Sequence, residues 1–458
     1  MRLWLKILMV LGMTLAILVP LLLIRGVIQD REAYRGEAVQ EIARSEAGAQ
    51  SLVGPVLVVP WTETVEVEEK NAAGEVVRKV RRDGESGEWL FFPETLSFDG
   101  TMAPYMRRRG LHEVRMYELG GQLQADFKVQ IPRDADPDLP RKIGRPWLGY
   151  GIADVRGLRG APRLQVNGAT VELQQGLGSR DQPGVHVRLA PPAAGSLLSL
   201  ATRLDLTLAG AEALAVAPLA AHNRIALASP WPHPLFNGAF LPTRRSVGAA
   251  GFEATWEISS LATNAQQQYR AGGGLSSSSV AMIRQGMNEG LDAAAISLVE
   301  PVDAYSQADR ASKYGILFVL LTFVGFFMFE LIKQLRIHPI QYGLVGLALA
   351  IFFLLLVSLS EHIAFGGAYL VASLACIGLL GFYLSHVLRS RARGVGFAVM
   401  LATLYAALYG LLVSEDNALV LGAGLLFLIL AAIMVVTRKV DWYQLSAAPG
   451  ARAPSVAP

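Results

Sequence analysis

Six apolar stretches, one at the start of the chain and five crowded towards its end, constrain the fold of this sequence more than any other feature. A membrane-crossing helix needs roughly 20 mostly apolar residues, because hydrocarbon cannot satisfy exposed backbone N–H and C=O groups. The stretches run from about Leu3 to Ile24, then over Tyr314–Ile332, Ile340–Ser360, Ile363–Leu388, Gly394–Val413 and Ala418–Val436. The first is too long for the apolar part of a cleaved signal peptide, and no small-x-small site follows it, so it reads as an uncleaved anchor. Charge is correspondingly scarce: 17% of the 458 residues, against about 25% in ordinary soluble proteins.

Short loops set the orientation, because Lys and Arg stay on the cytoplasmic side. With the N-terminus inside, the cytoplasmic segments hold Arg2, Lys6, Lys333, Arg336, Arg389, Arg391, Arg393, Arg438 and Lys439. The two short outer loops, at Glu361-His362 and at Ser414-Glu415-Asp416-Asn417, hold neither Lys nor Arg. Both termini are therefore expected in the cytoplasm of a bacterial-type inner membrane, with the long central stretch in the periplasm. The domain plan is an anchor at 1–28, a periplasmic domain at 29–312, a transmembrane bundle at 313–437 and a cytoplasmic tail at 438–458.

The central stretch reads as β-rich (α+β) after a short helical start, Asp30 to Gln50, with Ala33, Ala38, Ile42 and Ala43 on one face. Gly54-Pro55 ends that pattern. Val56-Leu57-Val58-Val59 is a buried strand by its unbroken apolar run, whereas Leu123–Ile131 and Leu204–Leu208 alternate as half-buried strands do. A hairpin turn is expected at Asn71-Ala72-Ala73-Gly74. Length allows two lobes, and Gly-Leu-His at 110–112 and Gly-Val-His at 184–186 each open a strand pair, hinting at two related sheets. Gly272-Gly273-Gly274 and Ser276–Ser279 read as a flexible loop. The single cysteine, Cys376, falls inside a span, so packing alone must hold the central domain. The expected fold class is thus a membrane protein with a β-rich extracytoplasmic domain plus six transmembrane helices, one N-terminal and five C-terminal.

Several motifs resemble the CreD family of inner-membrane, or cell-envelope integrity, proteins. They include Ser229-Pro230-Trp231-Pro232-His233-Pro234-Leu235-Phe236-Asn237-Gly238, Gly251-Phe252-Glu253-Ala254-Thr255-Trp256, Pro301-Val302-Asp303-Ala304-Tyr305 and Lys313-Tyr314-Gly315. The most specific run is His338-Pro339-Ile340-Gln341-Tyr342-Gly343-Leu344-Val345-Gly346, continuing to Ser358-Leu359-Ser360-Glu361-His362, and Asp441-Trp442-Tyr443 closes the match. Residues 271–300 are looser than the family pattern, and Phe353 stands where that pattern has tyrosine. The resemblance implies an inner-membrane protein tied to envelope integrity and to an envelope stress response. It supplies no reaction and no catalytic residues.

Candidate functional residues cluster at span ends. Glu330 is an ionisable group within a span, a functional candidate by default, although Lys333 is close enough for an interfacial ion pair. His338 precedes Pro339 at a helix start, where the ring missing its N–H costs nothing. With Glu330 and Gln341 it either caps the helix or lines a small cavity. Ser358, Glu361 and His362 mark the other end of that helix. Glu361 and His362 are adjacent and point apart on a helix, which disfavours a triad. Arg310 lies above the second span and is a candidate partner for Glu361, coupling the outer domain to the helices. Trp231 and His233 occupy a stiff Pro-rich loop that either binds a ligand or pins two elements. His112, His186, His222 and His233 lack metal-ligand spacing, so no metal or cofactor is implied.

No Walker loop, dinucleotide fingerprint or nucleophile elbow is present, and a net charge of +3 offers nothing to nucleic acid. The expected function is a non-enzymatic envelope factor whose periplasmic domain binds a partner or envelope component and whose helices engage the lipid bilayer. The competing readings are a transporter or exporter component, disfavoured by uncharged mid-span regions, and a membrane enzyme acting on lipid or cell-wall precursors.

Overall fold

The computed structural model describes residues 3–70, 76–109, 112–134, 136–178, 180–287, 290–299, 304–332, 337–388, 390–414 and 418–438. The expected turn at 71–74, the outer loop at 415–417, the motifs at 301–303 and 441–443, and Lys333, Arg336 and Arg389 lie outside the described residues. The chain divides into two compact units, Gly36–Pro301 and a second formed by Met1–Arg35 with Val302–Pro458.

Chain order begins with α1 (Leu3–Ser45), then β1 (Gln50–Lys70), β2 (Val76–Phe91), β3 (Thr95–Arg109), β4 (His112–Gln130), β5 (Lys142–Ile143) and β6 (Trp147–Ile152). It continues with β7 (Leu158–Val166), β8 (Ala169–Val171), β9 (Gln174–Leu177), β10 (Arg180–Arg188), β11 (Leu197–Ala211), β12 (Ala213–Ala217) and β13 (His222–Ser229). After β14 (Pro234–Gly238), β15 (Arg244–Gly248) and β16 (Gly251–Ser259) come α2 (Ala265–Arg270), α3 (Ser277–Arg284) and β17 (Ala294–Leu298).

These strands form two sheets. One runs β14-β17-β12-β1-β6-β10-β9, with β2 and β5 also paired to β1, and the other runs β15-β16-β13-β3-β4-β11-β7-β8. One core lies between them, with Leu57, Tyr150 and Ile296 from the first sheet against Phe98, Phe127 and Trp256 from the second. Since both sheets share that core, the unit is a single sandwich and not two lobes. Its first sheet also packs its outer face on α2 and α3, through Val56, Val58 and Ala215 against Tyr269, Val280 and Ile283. A strand buried on both faces loses its alternation, which explains the run from Val56 to Val59. The second sheet buries one face, so β4 alternates: Leu123, Ala125, Phe127 and Val129 are buried while Gln124, Asp126, Lys128 and Gln130 are exposed.

Two local expectations are corrected. Ser276–Ser279 is no loop: Ser276 caps α3, its hydroxyl accepting from Ser279 N, because serine offers the orphan N–H groups of a first turn a partner. Gly184–His186 lies within β10 instead of opening a strand, while Gly110 and Leu111 of the other triplet lie outside the described residues.

The second unit holds most of α1 with α4 (Ala304–Ile332), α5 (Pro339–Ser360), α6 (Phe365–Val387), α7 (Arg391–Val413) and α8 (Ala418–Thr437). The apolar start and the helical run after Asp30 are one continuous α1, because no Gly-Pro or turn sequence interrupts them before Gly48. Among the described residues, five helical segments are long and apolar enough to cross a membrane: Leu8–Ile42, Ser306–Glu330, Pro339–Ser360, Phe365–Val387 and Arg391–Val413. The apolar part of α8, Val420–Val435, is shorter. Rings fill the helical interior, Phe323 and Phe326 on Tyr342, and Phe352 on Tyr369 and Tyr405. Their polar atoms are partnered, with Tyr369 donating to Tyr405 O at 2.7 Å and Tyr405 to Cys376 Sγ at 3.1 Å.

Candidate functional site

In the β-rich unit, the junctions before β1, between β11 and β12, and after β6 meet the start of α3 around a cavity of about 780 Å³. Two carboxylates stand at its wall, Asp154 buried and Glu212 half-buried. Asp154 accepts from Gly48 N at 3.2 Å, from Arg156 N at 3.1 Å, and from Arg156 Nε and Nη2 at 2.9 and 2.6 Å. Burial alone would raise this carboxyl, but the Arg156 and backbone donors outweigh it and hold Asp154 below its usual value. Glu212 sits at φ +58, a left-handed conformation rare for a residue with a side chain, and pairs with Arg284 of α3. That backbone is over-determined: Glu212 N donates to Arg115 O at 3.1 Å and Glu212 O accepts from Leu298 N at 2.8 Å.

Gln50 holds the Asp154 turn in place. Wholly buried, it donates to Asp154 O and Ala209 O, each at 2.9 Å, and accepts from Asp154 N at 3.1 Å. Beside the two ion pairs, the cavity offers serine hydroxyls at 276–278 and the apolar side chains of Val39, Met282 and Met287. Ser276 Oγ lies 2.8 Å from Ser278 Oγ and 2.9 Å from Ser279 Oγ. Among the described residues no His, Lys or Cys lines it. This is a hydrogen-bonding site of balanced charge, suited to a polar or zwitterionic ligand with an apolar portion.

Trp231 and His233 lie elsewhere in the same unit. The indole Nε1 donates to Val299 O at 3.0 Å and His233 O at 3.1 Å, and the Arg115 guanidinium sits 3.8 Å from the Trp231 ring centroid. Arg115, 7% exposed, also donates to Leu298 O at 3.1 Å. The Pro-rich loop is thus fastened to β4 and to the end of β17, while the His233 ring is exposed.

The remaining candidates belong to the helical unit. His338 caps α5: its Nδ1 accepts from Ile340 N at 3.3 Å, and its own N–H donates to Gln341 Oε1 at 3.1 Å. Glu330, 3% exposed, accepts from the Tyr342 hydroxyl at 2.8 Å. Glu361 ends α5 and pairs with Arg31 of α1 at 3.5 Å. Ser358 and His362 are exposed and share no hydrogen bond among the described residues. Arg310 follows Asp309, whose carboxylate takes Lys313 at 2.6 Å and Arg25 at 3.4 Å.

Sequence reasoning missed Asp154, Arg156, Glu212, Arg284 and Arg115. The one local signal was the i,i+2 Asp-x-Arg at 154–156; the other contacts join residues far apart in the chain. Residues 2–443 match the family model described as "Inner membrane protein CreD". Over 437 residues the chain is 36% identical to the inner membrane protein CreD of Escherichia coli (strain K12), covering 95% of this chain and 92% of that one.

Proposed function

This chain belongs to the CreD family of inner membrane proteins, and from that premise we propose a non-enzymatic envelope factor. Its β-rich unit lies in the periplasm and binds an envelope component in the cavity beside α3. Its helices cross the membrane six times with both termini in the cytoplasm. Through this binding the protein supports envelope integrity and the response to envelope stress.

The observation that carries the reading is the 780 Å³ cavity with its two carboxylate–arginine pairs, a volume typical of small-ligand sites. Binding without turnover is supported by the lining, where each carboxylate is already engaged by an arginine and, among the described residues, no nucleophile stands beside a base. The absence of Lys and Arg from the short loops taken as external supports the orientation. Anchoring, as opposed to conduction by a transporter, is supported by a helical interior filled with aromatic rings.

The test fills the cavity. Ala281 is an exposed position of α3 that lines it, so Ala281→Trp adds bulk without disturbing the core. A strain lacking the gene and carrying this variant should stay sensitive to envelope-directed agents at normal protein abundance. Complete rescue would refute the cavity reading.

A further inference from the structure

We propose that the groove between α6 and α7 binds one anionic glycerophospholipid, its phosphate at Arg391 and an acyl chain along the glycine-lined wall. The site is independent of the cavity in the β-rich unit. The groove encloses about 910 Å³ and changes character along its length. One end is apolar and open to the surroundings: Phe382 is 70% exposed and Val395 62% exposed, with Gly378 and Gly381 between the helices. A Cβ added at Gly378 would meet nothing within 4 Å, so that glycine leaves empty space beside the chain. The other end carries Ser385, His386, Ser390 and Arg391, where one span stops and the next begins.

This polarity matches a membrane lipid. Both helices are long and apolar enough to cross the bilayer, so their junction falls at headgroup depth and the glycine wall at acyl depth. Among the described residues no Asp or Glu lines the groove. Its charged member is the exposed guanidinium of Arg391, a geometry that favours phosphate through charge-assisted, bidentate hydrogen bonds. A zwitterionic lipid would bring an ammonium group to a site without a carboxylate to receive it. Basic pockets between membrane helices recognise anionic headgroups on the same grounds.

The mouth is rigid. Ser390 N donates to Ser385 O at 3.1 Å, and Gly394 N to Ser390 O at 3.1 Å. A Cβ at Gly394 would come within 2.7 Å of Ser385 Cα, so α6 and α7 cross there in close contact. The backbone that carries Ser385, Ser390 and Arg391 is therefore set before a ligand arrives, which lowers the ordering cost of binding.

The test is native mass spectrometry of the full-length protein from micelles holding equal amounts of phosphatidylglycerol and phosphatidylethanolamine. Wild type should retain one phosphatidylglycerol about tenfold over the zwitterionic lipid. Arg391→Gln should cut that preference at least fivefold, and Gly378→Phe should abolish retention of both. If Gly378→Phe fails to fold, Val395→Trp, at an exposed position of the same wall, should give the same loss. Equal retention of the two lipids by wild type, an unchanged preference in Arg391→Gln, or displacement of the bound lipid by inorganic phosphate alone would overturn the site.

Discussion

The Tyr342 hydroxyl donates to Glu330 Oε2 at 2.8 Å, joining α4 to α5 through two side chains that are 0% and 3% exposed. Phe323 and Phe326 pack against the phenol, so water has little access to the bond. Removing the donor strands part of a buried carboxyl group, and Tyr342→Phe should cost about 1–3 kcal/mol. Glu330→Gln keeps an acceptor for the phenol and should cost less, whereas Glu330→Leu leaves the hydroxyl buried without this partner and should cost more. Thermal unfolding of the full-length protein in detergent gives the ranking. An unchanged melting temperature in Tyr342→Phe would show that the bond adds no net stability.

Asp154 makes the β-rich unit sensitive to acid. Its folded carboxyl titrates below the ordinary value of 3.8, because the Arg156 and backbone donors outweigh the effect of burial. A depressed folded pKa contributes stability that is fully present above the unfolded value and is lost as pH falls through the folded one. Wild type should therefore exceed Asp154→Asn by a constant margin from neutral pH down to about 4, and the margin should shrink below that. Losing the charge-assisted bonds sets the margin at roughly 1–3 kcal/mol. Unfolding followed by tryptophan fluorescence across that range checks the sign, and a margin that grows on acidification would contradict it.

Periodicity revealed those parts of the fold in which one face of a strand meets water. β4 and β11 alternate, and their pairing from Leu197↔Gln130 to Ala211↔Met116 keeps Leu200 and Phe127 on the buried side together. It could not reveal β17, because Ala294–Leu298 is buried at every position and so shows no buried–exposed alternation to mark a strand. The helix caps at His338 and Ser276 rest on local chemistry; the first was readable beside Pro339, while the second was obscured by the glycines before it. The functional geometry was least visible. Arg115 reaches Leu298 across 183 positions, and Gln50 reaches Ala209 across 159, so no spacing rule connects them.

The orientation can be checked at three points. A reporter fused after Arg391 should behave as cytoplasmic, one after Asn264 as extracytoplasmic and one after Arg438 as cytoplasmic. The last bears on α8, whose apolar stretch Val420–Val435 is short for a span. The helix itself runs over 20 residues, Ala418–Thr437, which leaves little length to spare for a full crossing. An extracytoplasmic result after Arg438 would remove the sixth crossing, and a cytoplasmic result after Asn264 would invert the placement of the β-rich unit.

Glu361 and Arg31 should prove coupled. Sequence order nominates Arg310 as a partner of Glu361; an ion pair at 3.5 Å joins Glu361 to Arg31 on α1. Glu361 is the C-cap residue of α5, so its carboxylate stands where the helix dipole is negative, and its side chain is only 9% exposed. Both circumstances make the charge unfavourable in isolation, and the guanidinium compensates them while linking the two helices. Removing the cation should therefore hurt more than removing the carboxylate, since Glu361→Gln also removes the charge that needed compensation. Arg31 is 41% exposed, which limits the loss in Arg31→Gln to about 1–2 kcal/mol, below the cost for a fully buried pair. The double variant should be no less stable than Arg31→Gln alone, giving a coupling energy of at least about 0.5 kcal/mol in detergent melts. Raising the salt concentration should weaken that coupling only slightly, because the carboxylate is shielded from solvent. Additive losses in the two single variants would show that the pair contributes orientation at most and that α1 and α5 are held together by packing.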